Sequence, residues 1–308
     1  MDERIGFIGF GEAGSAIAAG LAGAGARVRA FDAALAEPAG RARLARRAAE
    51  AGVELVESLA ALARASSVVV STVVSSAARE VAAAAARHLG PGHVYLDLNS
   101  TSPALKREMA ALVEAAGARF VEGAVMTAVP PRGHRVPILL GGPAAPELIA
   151  RLRPLGMVLE DLGPEVGRAA AVKMFRSIVV KGLEALLLEC VLAASRYGVA
   201  ERVLASVGEG YPGLDWNRLA HYLLGRTAVH GARRAHEMEE VARTLAEMGI
   251  EPIMAEAAAR RIGACATPAL KARFADRAPE SYHEVVAAIR ESATAPARRP
   301  ARRPAQRR

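Results

Sequence analysis

"RIGFIGFGEAGSAIAAGLAGAGARVRAFD", residues 4–32, decides the fold. An apolar, β-rich run leads into Gly9-x-Gly11-x-x-Gly14, an Ala-rich helical stretch follows, and a second β-rich run closes on Asp32, 18 residues beyond Gly14. In the order strand, glycine turn, helix and strand, each glycine has its own task. Gly9 allows a tight turn, Gly11 lets backbone approach a pyrophosphate, and Gly14 lets the helix pack close to the strand. The unpaired N–H groups at the start of the helix face the phosphate charge. Gly9, Phe10, Gly11, Glu12, Ala13 and Gly14 are therefore expected to border a dinucleotide, with Thr72, at the end of "SVVVST", and Val73 and Val74 after it completing the site. Asp32 is expected to accept from the adenosine ribose hydroxyls and to repel a 2′-phosphate, which favours NAD over NADP. Arg41, Arg43, Arg46 and Arg47 follow within 15 residues of Asp32 and either meet a phosphate or form a solvated helix face.

Outward from that motif, "RIGFIG", "ARVRAF", "VELV", "SVVVST", "HVYLDL", "ARFVEG" and "VPILLG" are each followed by helical or turn material. This alternation predicts an α/β fold with a doubly wound parallel sheet of the Rossmann type. Runs such as "VVV" and "ILL" suit strands buried on both faces. After "MVLEDLG" the β signal stops. The reading is a cofactor-binding domain over 1–163, an all-α domain over 164–291 and a disordered Arg/Pro tail over 292–308. A long interdomain helix is expected from Glu165 to about Tyr197.

Composition bounds the class. At 308 residues the chain has room for about two domains of roughly 150 residues each. A hydrophobic fraction of 52% describes a folded globular protein. The most apolar run, "IVVKGLEALLLECVLAA", is broken by Lys181, Glu184 and Glu189, which argues against a membrane span. No export signal is apparent, and Cys190 and Cys265 stand far apart, so a reducing cytoplasm is expected. The formal charge is +8, but the tail holds six arginines, and removing them leaves +2 for the body. The basicity is thus largely a tail, and nucleic-acid binding is not expected of the fold itself.

Four motifs in order carry a resemblance to a known family: "GFIGFGEAG", "DLNSTSP" at 97–103, "EGAVMTA" at 122–128 and "GRAAAVKMFRS" at 167–177. The chain resembles the β-hydroxyacid dehydrogenases, relatives of 3-hydroxyisobutyrate and 6-phosphogluconate dehydrogenase. The resemblance implies a Rossmann domain joined by a long helix to an all-α domain that helps form a homodimer. It also implies NAD(P)-dependent oxidation of a hydroxyl β to a carboxylate on a small anionic substrate.

The family's motif G-x-G-x-x-x-K-x-x-x-N is met here by Gly167, Ala169, Lys173 and Ser177. The resemblance makes Lys173 the catalytic residue and puts Ser177 where an asparagine stands. In the D-x-S-T-x-x-P loop, Asn99 replaces the first serine and Ser100 falls on the threonine, so both are candidate substrate contacts. Met126 and Thr127 occupy the place of the family's S-G-G. In the helical domain, His236 and Glu237 stand where a K-D pair is expected, and Arg234 and His236 are candidates for an anionic substrate group, or else ordinary helix-surface charges. No His/Cys spacing indicates a metal site.

Lys173, Ser177 and Lys181 share one row of their helix, expected to face the crevice between domains. Full burial lowers a lysine pKa by roughly 3 to 5 units, so Lys173 is expected to act as a near-neutral acid/base. Lys181 is read as packing, ion pairing or contact with a remote substrate charge. Open alternatives are oxidative decarboxylation, imine reduction on the same fold, and a cofactor-binding regulator whose tail touches nucleic acid.

Overall fold

The computed structural model describes residues 3–294, so the predicted tail lies almost wholly outside the described residues. It divides into two compact units, Met1–Arg176 and Ser177–Arg308.

The first unit opens with β1 (Arg4–Ile8), α1 (Glu12–Gly23), β2 (Arg27–Phe31), α2 (Pro38–Ala51), β3 (Glu54–Leu55), α3 (Leu59–Ala65) and β4 (Val68–Ser71). It continues through α4 (Ala78–Ala86), β5 (Val94–Asp97), α5 (Pro103–Ala115), β6 (Arg119–Val125), β7 (Ile138–Gly141), α6 (Ala145–Leu152) and β8 (Leu159–Asp161). The eight strands form one sheet in the order β3-β2-β1-β4-β5-β6-β7-β8.

Strand residues alternate between two apolar faces, as the pleat requires. Ile5, Phe7, Val68, Val70, Val94 and Leu96 face one core with Ile17 and Leu21 of α1 and Leu44 of α2. Ile8, Val69, Tyr95 and Phe120 face the other with Ala78 and Ala82 of α4 and Met109 and Val113 of α5. Helix cover on both sides explains why these strands read as unbroken apolar runs.

One expectation is corrected. The sheet is parallel from β3 through β6, but β7 pairs antiparallel with β6, and β8 follows β7 in parallel. The physical reason is the connection. Between Val125 and Ile138 the chain makes a loop with a single short 3-10 turn rather than a crossover helix, and a strand can then return beside its predecessor in the opposite sense.

The helix that carries Lys173, α7 (Arg168–Ala194), has 27 residues and starts three residues later than expected. The second unit holds its later turns together with α8 (Ala200–Gly210), α9 (Trp216–Glu247), α10 (Ile253–Cys265), α11 (Pro268–Arg273) and α12 (Tyr282–Thr294). Leu188, Val191, Leu204, Leu224, Phe274 and Val285 build its core. No helix among the described residues is long and apolar enough to cross a membrane.

Candidate active site

The glycine loop lies at the carboxyl end of β1, beside the end of β4. The sheet order puts β2 on one side of β1 and β4 on the other, and a crevice opens at such a switch in strand order. Gly9 has φ +87°, and a Cβ there would lie 2.6 Å from the Thr72 carbonyl oxygen. Thr72 Oγ1 donates to the Gly9 carbonyl at 2.8 Å, tying the two strand ends together. A Cβ on Gly14 would be 2.6 Å from the Gly9 carbonyl oxygen, so the helix could not come this close with any larger residue.

Gly11 differs from both. A Cβ there would meet nothing within 4 Å, which leaves open space beside the backbone. No side chain caps α1, and its first hydrogen bond runs from the Ser15 N–H to the Gly11 carbonyl. The N–H groups ahead of Ser15, including those of Glu12 and Ala13, are the leftover donors of a helix start, and they suit a diphosphate. Val73 is half-buried and Val74 exposed just beyond β4. Among the described residues, no group of three or more His, Cys, Asp or Glu is placed to hold a metal.

Asp32 accepts from the Phe10 N–H at 2.8 Å through one oxygen and from the Ala34 N–H at 2.9 Å through the other. Each oxygen keeps a lone pair for a ribose hydroxyl. The arginines of α2 divide. Arg41 pairs with Glu57 and Arg47 donates to the Phe10 carbonyl, while Arg43 and Arg46 are exposed.

At the end of β5 lies a buried polar cluster. The Lys106 ammonium donates to the Asp97 carboxylate and carbonyl, and both side chains are essentially inaccessible. Asn99 is also buried: its Nδ2 donates to Asp97 and Ser71, and its Oδ1 accepts from the Val73 N–H at 2.7 Å. The amide holds β4 and β5 in register and so supports the loop that carries Ser100. A buried carboxylate demands donors, and Asn99 and Lys106 are the ones that reach Asp97.

One residue further on, Ser100 is exposed, and the Lys173 ammonium donates to its Oγ at 2.7 Å. The structure thus brings together the two polar side chains expected at the reacting end of the site. Lys173 is half-buried, short of the full burial anticipated for it. Met126 and Thr127 leave β6 nearby in sequence, the first half-buried and the second exposed; the Met126 N–H is held by the Pro137 carbonyl.

The position of Lys173 depends on a carboxylate in β6. Glu122 lies fully buried in β6, and its carboxylate accepts from the N–H groups of Gly167 at 2.6 Å, Ala169 at 3.0 Å and Ala170 at 3.2 Å. A negative charge at a helix start satisfies orphan donors and opposes the helix dipole, so Glu122 anchors α7 to the sheet. A glutamate inside the apolar run "RFVEGAV" was the available signal, because a carboxylate is almost never buried without a partner.

The remaining candidates belong to the second unit. Ser177 Oγ accepts from Lys181 at 3.2 Å. Lys181, 5% exposed, also pairs with Glu237 at 2.7 Å. Burial pushes the Lys181 ammonium pKa down against the pull of Glu237. Arg234, 7% exposed, is bound through Nε and Nη2 to the fully buried Glu184, which also accepts from Thr227 Oγ1. That pairing corrects the reading of Arg234 as a surface charge. His236 is exposed and pairs with Glu239 and Glu240 on its own helix.

Comparison with known proteins agrees with this geometry. Residues 4–163 match the family model of the NAD binding domain of 6-phosphogluconate dehydrogenase, and residues 194–264 match a domain of unknown function, DUF1932. A conserved hypothetical protein from Sinorhizobium meliloti 1021 is 44% identical, with 94% of this chain and 97% of that one covered and a TM-score of 0.77. The conserved protein MTH1747, described as structurally similar to 3-hydroxyacid dehydrogenases, is 33% identical over 85% of this chain and 96% of its own, with a TM-score of 0.71. The 3-hydroxyisobutyrate dehydrogenase of Mycobacterium tuberculosis, solved with L-serine, shares the fold at 21% identity and a TM-score of 0.72, over 94% of this chain and 100% of that one.

Proposed function

The chain belongs to the β-hydroxyacid dehydrogenase family, on an NAD-binding domain of the 6-phosphogluconate dehydrogenase type, and from that premise we propose that it oxidises the hydroxyl of a small β-hydroxy acid, with Lys173 as general acid/base. The observation that carries the proposal is the 2.7 Å bond from Lys173 to Ser100 at the carboxyl end of β5. In this reading the backbone from Gly9 to Gly14 holds the diphosphate, Asp32 holds the adenosine ribose, and Thr72 to Val74 border the rest of the cofactor. Asp32 makes NAD the preferred form. Bound nicotinamide supplies the hydride acceptor for the hydroxyl carbon.

Lys173 takes the hydroxyl proton in oxidation and returns it in reduction, a contribution of about 10²- to 10⁴-fold to the rate. Ser100 Oγ, already within reach of the ammonium, is placed to bond the same substrate oxygen or its carboxylate. L-Serine, the ligand of the Mycobacterium tuberculosis structure, is itself a β-hydroxy acid. The test is a turnover screen of 3-hydroxy acids with NAD and NADP, using wild type and Lys173→Ala. Oxidation dependent on Lys173 is the expected result. Consumption of reduced cofactor only with a ketone plus an amine would contradict alcohol/carbonyl chemistry.

Self-association through the helical unit is part of the same proposal. Val179 and Leu186, seven residues apart on α7, are 72% and 59% exposed, an apolar pair that a partner surface would cover. Sedimentation velocity is expected to show a dimer that Val179→Glu weakens; a monomer at micromolar concentration would contradict it.

A further inference from the structure

We propose that Arg47 is a positioning residue for the cofactor diphosphate, acting through the peptide between Phe10 and Gly11. The inference rests on the cofactor assignment above and adds a residue from outside the glycine motif. Arg47 lies on α2, 37 positions from Phe10, and its Nη1 donates to the Phe10 carbonyl at 2.8 Å. On the other side of the same residue, the Phe10 N–H donates to Asp32 Oδ2 at 2.8 Å. Before it, the Gly9 N–H donates to the Phe31 carbonyl and the Gly9 carbonyl accepts from Thr72 Oγ1. Every backbone polar group of Gly9 and Phe10 is therefore engaged, by β2, by α2 or by the residues just after β2 and β4.

What Arg47 controls follows from peptide geometry. The carbonyl of Phe10 and the N–H of Gly11 belong to one planar trans unit and point in opposite directions. Holding the oxygen toward α2 aims the Gly11 N–H the other way. That aim needs a latch, because Gly11 has no side chain and nothing within 4 Å of where a Cβ would stand. If the peptide flips, the carbonyl oxygen takes the place of the N–H and confronts the phosphates with like charge. A guanidinium on the oxygen also polarises the peptide and strengthens its N–H as a donor.

This role separates Arg47 from a 2′-phosphate contact. The diphosphate is common to NADH and NADPH, so a residue that aims the loop serves both equally. It also separates Arg47 from its neighbour Arg46, which is exposed on the same helix.

The experiment is fluorescence titration of NADH and NADPH with wild type, Arg47→Ala, Arg47→Lys and Arg46→Ala, each checked for folding by its melting curve. Loss of one charge-assisted hydrogen bond predicts a Kd raised about tenfold by Arg47→Ala for both nucleotides. Arg47→Lys is expected to recover part of it, since an ammonium can still hold one carbonyl, and Arg46→Ala to leave NADH binding unchanged. A loss confined to NADPH overturns the proposal in favour of a 2′-phosphate contact. An equal loss of NADH binding in Arg46→Ala overturns it in favour of general charge attraction. Unchanged binding in Arg47→Ala overturns it outright. Wild-type protein that binds neither nucleotide overturns the cofactor assignment and the role of Arg47 with it.

Discussion

Lys173 and Lys181 lie two turns apart on α7, yet the former is half-buried against the Ser100 hydroxyl and the latter is buried between Ser177 and the Glu237 carboxylate. Burial alone would nominate Lys181 as the lysine that gives up its proton, and its pKa is indeed lowered by burial. The partner decides otherwise. A carboxylate at 2.7 Å occupies the Lys181 ammonium and favours its charged form against burial, whereas Lys173 reaches the exposed Ser100 hydroxyl, where the proposed proton exchange would take place. The proposed chemistry goes to the lysine that bonds Ser100, a candidate substrate contact, while Lys181 is engaged by Glu237.

The largest effect expected from breaking this contrast is on turnover. Lys173→Ala should lower kcat by about 10²- to 10⁴-fold while NADH binding stays within about twofold. Lys181→Ala, assayed well below its melting temperature, should lower kcat far less. Equal losses in the two variants would erase the distinction.

Next in size is the stability of the second unit. Glu184 and Arg234 form a pair sealed from water, and removing one partner strands a buried charge, so Glu184→Ala should cost about 3–5 kcal/mol. Trp216, the single tryptophan, lies in this unit, so urea unfolding followed by its fluorescence reads the loss directly. An unchanged midpoint would show that the pair carries no net stability.

The smallest effect belongs to Lys181 and Glu237, because the glutamate side chain is 36% exposed. Lys181→Met should cost about 1 kcal/mol, a value discounted for solvent screening. Its pH dependence has a definite sign. Burial pushes the Glu237 carboxyl up, but the Lys181 ammonium brings it below its ordinary 4.5. The unfolded chain then holds that proton more tightly, so the stabilisation is present above pH 4.5 and is lost as pH falls through the folded value. Glu237→Gln should remove that part of the acid limb in thermal melts; an identical limb would assign it to other carboxylates.

The parts of this account that were legible in the sequence rest on local pattern. The β1–α1–β2 motif, the alternation of strands and helices and the placement of Lys173 depend on residues close in the chain and on motif order. The direction of β7 was not legible, because an apolar run carries no sign of its polarity and only the loop before it sets the return. The burial of Asn99 was not legible, because its partners Ser71 and Val73 are brought to it by the sheet. Arg234 looked like a surface charge because Glu184 lies 50 positions away. Glu122 could have been suspected, since a carboxylate inside a buried strand requires donors; the sequence leaves open that those donors are the first turn of α7.

The central claim is that the Lys173 amine exchanges a proton with the substrate. Its most direct test is the rate of Lys173→Ala on an identified hydroxy acid in the presence of methylamine, which can occupy the vacated space and replace the missing nitrogen. The account predicts that the rate rises with methylamine concentration, more steeply at higher pH where more of the amine is neutral, and that Lys181→Ala gains nothing. Turnover of Lys173→Ala near the wild-type rate without amine, or rescue of Lys181→Ala instead, would contradict it.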